Sequence, residues 1–331
     1  MTEKTKSISL DTAMTLIKTV LKKHGYNPEE IEKIEAVIFY AVLKNSTQGM
    51  SKLFSWHIEK DPLAKRPIFE KTSGVIGRFD AQRNNSMYVC SLALEPLIKM
   101  AKNEGVGVIG VYNNSSSSGA LGYYTSQIAK KGLVGIMFSS ADPIGGIAPK
   151  GSKQGVFGSN PLSIAIPYKN SAITLDMSTA KYTFGDLVTA SINKQKLEPG
   201  YAFDSSGIMT QDPQEAMNGT VTAFDGSFKG LGLAFMIQVI AGTLVGSVYN
   251  QSDSQCDYGS LMIAIDPEKL GGVNFINEQV EKLIKVYKNS GEIGQIFIPG
   301  EKGQLTAEAN KKNNSIIITE ELMNKITKFI T

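Results

Sequence analysis

From about residue 85 the sequence alternates between apolar segments with helical spacing and apolar segments with strand-like composition. Alternation of this kind is typical of an α/β fold, in which helices cover a sheet. The pattern continues to a tail that reads as helix, short strand and helix. The predicted helices cover residues 89–101, a segment starting near 119, 231–245, 273–288 and 320–330, and the predicted strands cover 106–111, 133–138, 162–167, 172–177, 261–265 and 316–318.

The N-terminal segment reads instead as two helices. Apolar residues at helical spacing predict a first helix that stops at Gly25, and the Asn-Pro-Glu-Glu run at 27–30 predicts the capped start of a second helix that runs to about Lys44. We interpret His24 as a cation near the C-terminal dipole of the first helix, and His57 as structural.

Two polar loops, at 113–119 and 139–143, follow predicted strand ends. Ligand sites in α/β layers favour those ends, so we expect both loops to face one cleft. Glycine-led segments at 157–162 and 224–233 place polar or cationic groups beside apolar elements, which lets a backbone approach an anionic ligand. No GxGxxG follows an early strand, so the ordinary Rossmann fingerprint is missing.

Composition narrows the class of protein. The chain has 331 residues, of which 42% are hydrophobic and 20% charged, and its net charge of +3 is dispersed. A dedicated nucleic-acid surface is therefore not expected. Cys90 and Cys256 lack ligand-like spacing and suit a reducing compartment, and no apolar run of signal or spanning length is visible at the N-terminus. We expect a cytoplasmic protein without a membrane partner.

A series of short motifs runs in order along nearly the whole chain. They are Gly-Tyr-Tyr at 122–124, Gly-Ser-Asn-Pro at 158–161, Asp-Met-Ser-Thr at 176–179, Leu-Glu-Pro-Gly-Tyr-Ala-Phe-Asp at 197–204, Asp-Pro at 212–213, the segment 224–233, Ile-Asp-Pro at 265–267 and Ile-Pro-Gly-Glu at 298–301. Together they resemble the type 2 malate/L-lactate dehydrogenase family, which includes ureidoglycolate, sulfolactate and diketogulonate dehydrogenases and imino-acid reductases.

The resemblance implies a fold and an assembly. It implies a mixed-sheet α/β cofactor domain over residues 76–299, distinct from a Rossmann domain, and a helical domain made from 1–75 and 300–331. It also implies a homodimer with the active site near the subunit interface. The implied reaction moves a hydride between NAD or NADP and a small 2-oxo/2-hydroxy acid or 2-imino/amino acid.

The resemblance also implies which residues hold the cofactor. Lys229 is interpreted as a phosphate or carboxylate partner, with a solvated lysine as the alternative. Asp176 would orient a ribose or a catalytic group, or cap the turn that follows it, and Ser159 and Asn160 could equally be turn formers. The implied cofactor-binding residues are Ser139, Ser140, Ala141, Gly158, Ser159, Asn160, Asp176, Met177, Ser178 and Lys229.

Substrate binding and proton transfer are where the sequence departs from the family. An arginine of the family corresponds to Lys52, which keeps the charge but lacks the bidentate fork; the alternative is a surface lysine. The two motif histidines correspond to Gln48 and Ser117, which do not titrate near neutrality. The candidate stand-ins for the proton donor are Tyr123, Tyr124, Lys52, or a water held by Ser117 and Gln48. For each of the three side chains the alternative is a structural role.

Three functions remain open on this basis. The first is a divergent NAD(P)-dependent oxidoreductase with an altered acid, which we favour. The second is a dinucleotide-binding member that has lost turnover and serves as a sensor or assembly partner. The third, a structural protein, leaves the glycine-led segments at 157–162 and 224–233 unexplained.

Overall fold

The computed structural model describes residues 4–54, 58–141, 146–149, 152–249, 257–292 and 294–331. Its helices are α1 (Leu10–Lys23), α2 (Pro28–Leu43), α3 (Ser86–Glu104), α4 (Leu121–Ala129), α5 (Phe184–Ile192), α6 (Pro213–Met217), α7 (Phe228–Ile237), α8 (Val273–Lys288), α9 (Glu301–Lys312) and α10 (Glu320–Ile330). Its strands are β1 (Thr5–Ser9), β2 (Ile68–Lys71), β3 (Ile76–Asp80), β4 (Val106–Asn114), β5 (Val134–Ser139), β6 (Leu162–Tyr168), β7 (Ser171–Met177), β8 (Ala202–Phe203), β9 (Thr220–Val221), β10 (Tyr258–Ile265) and β11 (Ser315–Thr319).

A seven-stranded sheet with the order β2-β3-β4-β10-β5-β6-β7 forms the centre of the molecule. β3 and β4 run parallel, and the other neighbours in the sheet run antiparallel, so the sheet is mixed. The predicted mixed-sheet α/β fold is confirmed. Helices α3 and α4 pack against the central strands, and Leu97, Ile109 and Ile128 are fully buried between these layers.

The strand directions place several loops at one edge of this sheet. β4, β5 and β7 all run in the same direction, because each is separated from the next by a single antiparallel strand, β10 or β6. Their carboxyl ends at Asn114, Ser139 and Met177 therefore lie at one edge. The loops that follow these three strands meet there.

The two ends of the chain form one helical unit beside the sheet. β1 pairs with β11 in an antiparallel ribbon, and α1 packs against α2 and α10. The start of α2 is a capping box in which Asn27 and Glu30 bond each other's backbone N–H, and Gly25 has a φ of 90° after α1, as the sequence predicted. The domain boundaries stay a prediction; β2 precedes residue 75 but pairs with β3 of the sheet.

The interpretation of His24 as a cation is wrong. Its ring is buried against Phe329, and Nε2 donates to the Leu53 carbonyl at 3.0 Å. Burial lowers the pKa of His24, although Leu53 and Glu59 act in the opposite direction, so the ring is mainly neutral at pH 7. The helix dipole favours a charged imidazole at the C-terminal end of α1, but α10 covers this end and buries the ring. His57 lies outside the described residues.

The predicted helix over 231–245 begins earlier, at Phe228, and changes its winding. It continues as a π turn over Gln238–Gly242 and a 3-10 turn over Thr243–Val245. Within the described residues, Phe228–Val245 is the one helical stretch long and apolar enough to span a membrane, with a mean hydropathy of 1.7 and 33% of its residues buried. Ile237 and Ala241 pack against Leu162 of β6, which favours a helix that lies on the sheet.

Candidate functional site

A cavity of about 240 Å³ opens at the edge where β4, β5 and β7 end. Its walls come from the loops after these strands, from a segment around Thr47, and from the start of α5. The structure brings most of the predicted site residues together here. Those that line the cavity are Gln48, Lys52, Ser117, Ser139, Ser140, Ala141, Ser159, Asp176, Met177 and Ser178.

The two predicted polar loops do face one cavity. Ser118 Oγ donates to Ser139 Oγ at 3.1 Å, and Ser139 Oγ also lies 3.0 Å from Ser260 Oγ on β10. These buried hydroxyl contacts join the loops that follow β4 and β5. The outer part of the second loop, at 142–143, lies outside the described residues.

Gly158 and Asn160 support the cavity wall from behind and do not line it. Asn160 is fully buried; its Oδ1 accepts from the Ala141 N–H at 3.1 Å and its Nδ2 donates to the Ala234 carbonyl at 2.9 Å. A Cβ on Gly158 would lie 2.4 Å from the carbonyl carbon of Ala141. The Gly-Ser-Asn segment therefore fixes the loop at Ala141 against α7.

We expect Gly158→Ala to lower the free energy of unfolding by about 1–3 kcal/mol, because the added methyl group must displace the Ala141 backbone. Gly232→Ala is the matched control, since a Cβ there meets nothing within 4 Å. Alanine is also the better helix former, so the control should be neutral or stabilising. Denaturant unfolding of both variants checks this; equal stabilities would contradict the close packing.

Asp176 stands at the end of β7 and is exposed to solvent where it lines the cavity, although protein atoms lie close around its carboxylate. Oδ2 accepts from the Gly122 N–H at 2.8 Å, at the start of α4. A Cβ on Gly122 would lie 2.9 Å from both Asp176 Oδ2 and the Tyr40 hydroxyl, so any side chain there would have to displace these groups. Desolvation raises the pKa of Asp176 to about 6, although Gly122 and the Lys44 charge favour the ionised form.

Tyr40 and Lys44 on α2 were not predicted as site residues. Lys44 Nζ donates to the Tyr40 hydroxyl at 2.6 Å and lies over the tyrosine ring. Burial raises the pKa of Tyr40 to about 12 and lowers that of Lys44. The Asp176 charge acts on both groups, so both lie near its carboxylate. Their four-residue spacing on one helix face is the only sequence signal that pairs them.

Lys52 is buried in the cavity wall, with 6% of its surface exposed, so the surface-lysine alternative is wrong. It lies in a 3-10 turn over Met50–Phe54 that packs against α5. Desolvation lowers the pKa of Lys52 to about 8, and the Asp186 charge acts in the opposite direction. A buried lysine of this kind changes its charge close to physiological pH.

Gln48 and Ser117, the predicted counterparts of the family histidines, both line the cavity. Gln48 Nε2 donates to Thr183 Oγ1 at 3.3 Å, and Ser117 Oγ accepts from the Gly119 N–H at 3.3 Å. Tyr123 and Tyr124 are absent from the described walls of the cavity. The hydroxyl of Tyr124 donates to the Ser118 carbonyl at 2.8 Å, and burial raises its pKa far above the ordinary value.

Lys229 is exposed on the first turn of α7 and does not contribute to the described walls of the cavity. Its backbone N–H is capped by Ser227 Oγ at 3.2 Å. The structure thus leaves its cofactor role a prediction. No group of three or more histidine, cysteine or carboxylate side chains that could hold a metal ion occurs among the described residues.

Comparison with known proteins assigns the chain to a family. Residues 8–327 match the malate/L-lactate dehydrogenase family. The chain belongs to this dehydrogenase family. Malate/(S)-sulfolactate dehydrogenase of Methanothermus fervidus is 30% identical to it over 96% of either chain, and ureidoglycolate dehydrogenase (NAD(+)) of Escherichia coli K12 is 26% identical over 89% of this chain and 87% of its own.

Solved structures agree with that assignment. The sulfolactate dehydrogenase of Methanocaldococcus jannaschii is 29% identical and superposes with a TM-score of 0.76, over 98% of this chain and 96% of its own. The malate dehydrogenase of Entamoeba histolytica, at 20% identity, shares the fold with a TM-score of 0.87 over 98% and 97% of the two chains. This member of the malate/L-lactate dehydrogenase family keeps the fold and has a cavity lined by both a buried lysine, Lys52, and a carboxylate, Asp176.

Proposed function

We propose that this member of the family transfers a hydride between NAD or NADP and a small 2-oxo/2-hydroxy acid, or its 2-imino/amino counterpart, with a proton donor other than histidine. The observation that carries the proposal is that Lys52 and Asp176, both with pKa values displaced toward neutrality, line one cavity. Pairs of titratable groups tuned in this way are typical of sites that move protons.

The residues present fit the reacting end of a dinucleotide. Ser139, Ser159 and Ser178 give the wall hydroxyl and backbone groups suited to a carboxamide or a ribose, and Asn160 holds the neighbouring loop rigid. When bound, the reduced cofactor supplies the hydride. The polar wall at these serines would orient it.

The charged residues have separate tasks in this proposal. The Lys52 ammonium holds the substrate carboxylate, which fixes the reacting carbon. Asp176 lies at the end of β7 and exchanges the proton with the substrate oxygen or nitrogen, directly or through a water held by Ser117 and Gln48. The Lys44 charge favours the ionised form of Asp176, and Tyr40 accepts a hydrogen bond from Lys44 beside it.

A homodimer in the cytoplasm completes the proposal. Exposed apolar side chains on α7 and α8 support the dimer, since α8 has no buried residue among those described and presents Leu283 and Val286 at 64% and 70% exposure. Phe228 of α7 is 78% exposed. Apolar surface of this extent is typical of interfaces between subunits.

A direct test separates the enzyme from a binding protein. Fluorescence titration with NADH and NADPH measures cofactor binding, and oxidation of the bound cofactor is then followed with a panel of 2-oxo acids, with and without ammonia or methylamine. We expect binding and turnover with at least one acid. Binding without oxidation by any acid would favour the second candidate, a dinucleotide-binding member without turnover, which the non-titrating Gln48 amide held by Thr183 also favours.

A further inference from the structure

The carboxylate of Asp186 joins two segments of the cavity wall. Asp186 is the third residue of α5, and its Oδ2 accepts from the backbone N–H and hydroxyl of Thr183 at 2.7 and 2.8 Å in a capping box. Its Oδ1 accepts from the Thr47 hydroxyl at 2.5 Å. A capping box requires of the Asp186 carboxylate only the bond from the Thr183 backbone N–H. The bond from Thr47 is therefore an additional contact, which ties the segment at Thr47 to α5.

The segment that Thr47 begins also carries Lys52. Ser51 Oγ donates to the Thr47 carbonyl at 2.9 Å and accepts from Thr189 Oγ1 on the second turn of α5 at 2.8 Å. The first two turns of α5 therefore hold the segment at both of its ends. Lys52, which follows Ser51, is fixed against the cavity by the same contacts.

The Asp186 charge also acts on Lys52 and favours its protonated form. Buried ammonium groups lose their proton readily, because desolvation disfavours the charged form, and a nearby carboxylate opposes that loss.

We propose that Asp186 is a positioning residue of this site: it fixes the Thr47–Lys52 segment and keeps the Lys52 ammonium charged for the carboxylate of the substrate. The inference rests on the proposed function, since it assigns the cavity a small acid. It adds that recognition of the acid depends on a residue outside the predicted motifs. It also explains why a lysine in a buried wall remains a cation at neutral pH.

Asp186→Asn tests the inference. The asparagine amide has the size of the carboxylate and its oxygen can still accept the hydrogen bond from Thr47, but the negative charge is lost. NMR of protein labelled with ¹³C and ¹⁵N in lysine follows the titration of Lys52 without any ligand, and calorimetry with the cofactor-saturated protein measures oxamate binding. We expect Lys52 to lose its proton at lower pH in the variant. Oxamate binding at pH 8 should weaken roughly three- to tenfold, with little change at pH 6.

Two further variants separate charge from structure. Thr183→Val removes capping hydrogen bonds but keeps the Asp186 charge, so Lys52 should titrate as in the wild type. Lys52→Arg in the Asp186→Asn background should restore oxamate binding at pH 8, because a guanidinium stays protonated.

The inference is overturned if Lys52 titrates identically with and without the Asp186 charge, or if Thr183→Val shifts the titration of Lys52 equally. A Lys52 shift without oxamate binding to either protein would overturn the proposed function and leave the control of Lys52 by Asp186 intact.

Discussion

Lys52→Ala is expected to lower kcat/KM for the preferred 2-oxo acid by about 10²–10³-fold. The proposed charge pair joins the Lys52 ammonium and the substrate carboxylate, and truncating one partner of a buried pair costs roughly 2–5 kcal/mol. The loss should come mainly through KM, since the lysine holds the carboxylate in substrate and transition state alike. Steady-state kinetics with saturating cofactor measure it. Lys22→Ala is the matched control, since that lysine is exposed on α1 and lies outside the described cavity walls. A Lys52→Ala enzyme within fivefold of wild type would remove Lys52 from the site.

The pH dependence gives the same prediction a second readout. Since the pKa of Lys52 is about 8 in the folded protein, activity should fall as the pH rises through 8. Stability moves the other way: the ordinary value of 10.5 lies above 8, so the unfolded chain binds more protons between these values, and the Lys52 contribution to the free energy of unfolding rises with pH there. Lys52→Arg should remove both dependences, and an unchanged decline of activity in that variant would assign it to another group.

Asp176→Asn is expected to reduce kcat by about 10²–10⁴-fold, the usual loss when a positioned acid or base is removed. At neutral pH the same change should raise the free energy of unfolding by about 1 kcal/mol, after allowance for the carboxylate's exposure to the cavity. The sign follows from a pKa of about 6, above the ordinary 3.8: the folded protein binds more protons between these values, so ionisation destabilises it as the pH rises.

Rate assays and denaturant unfolding at pH 7 test both effects on one variant. Asp225→Asn is the control for stability, because hydrogen bonds from Ser227 hold the pKa of this exposed carboxylate below its ordinary value. That substitution should not stabilise the fold. If Asp176→Asn loses stability together with activity, its carboxylate serves the structure and the catalytic assignment fails.

The sequence predicted best those elements whose signals are local. The cap at Asn27, the stop at Gly25 and the periodicity of α8 need no tertiary information, and the structure places these elements within a few residues of the predictions. Helix α5 was missed because it is short and contains β-branched residues such as Val188 and Thr189. Its capping box, Thr183 to Asp186, was the signal that could have revealed it.

The site was predicted only as far as motifs reach. The resemblance led to Lys52, Asp176 and the loop at 139–141 because each belongs to a segment that the family shares. It could not lead to Asp186 or Lys44, whose roles depend on contacts between segments far apart in the chain. Desolvation by surrounding protein, which displaces the pKa of Lys52 and Asp176, likewise arises only after those segments have packed.

The pairing of β1 with β11 has a consequence for biosynthesis. Thr319 is synthesised 314 residues after Thr5, yet the two residues lie opposite each other in one ribbon. The apolar face of α1 must therefore wait for its α10 partner until that helix has been synthesised. During that interval the nascent protein exposes apolar helix surface, which makes it a client for chaperones that bind such surfaces.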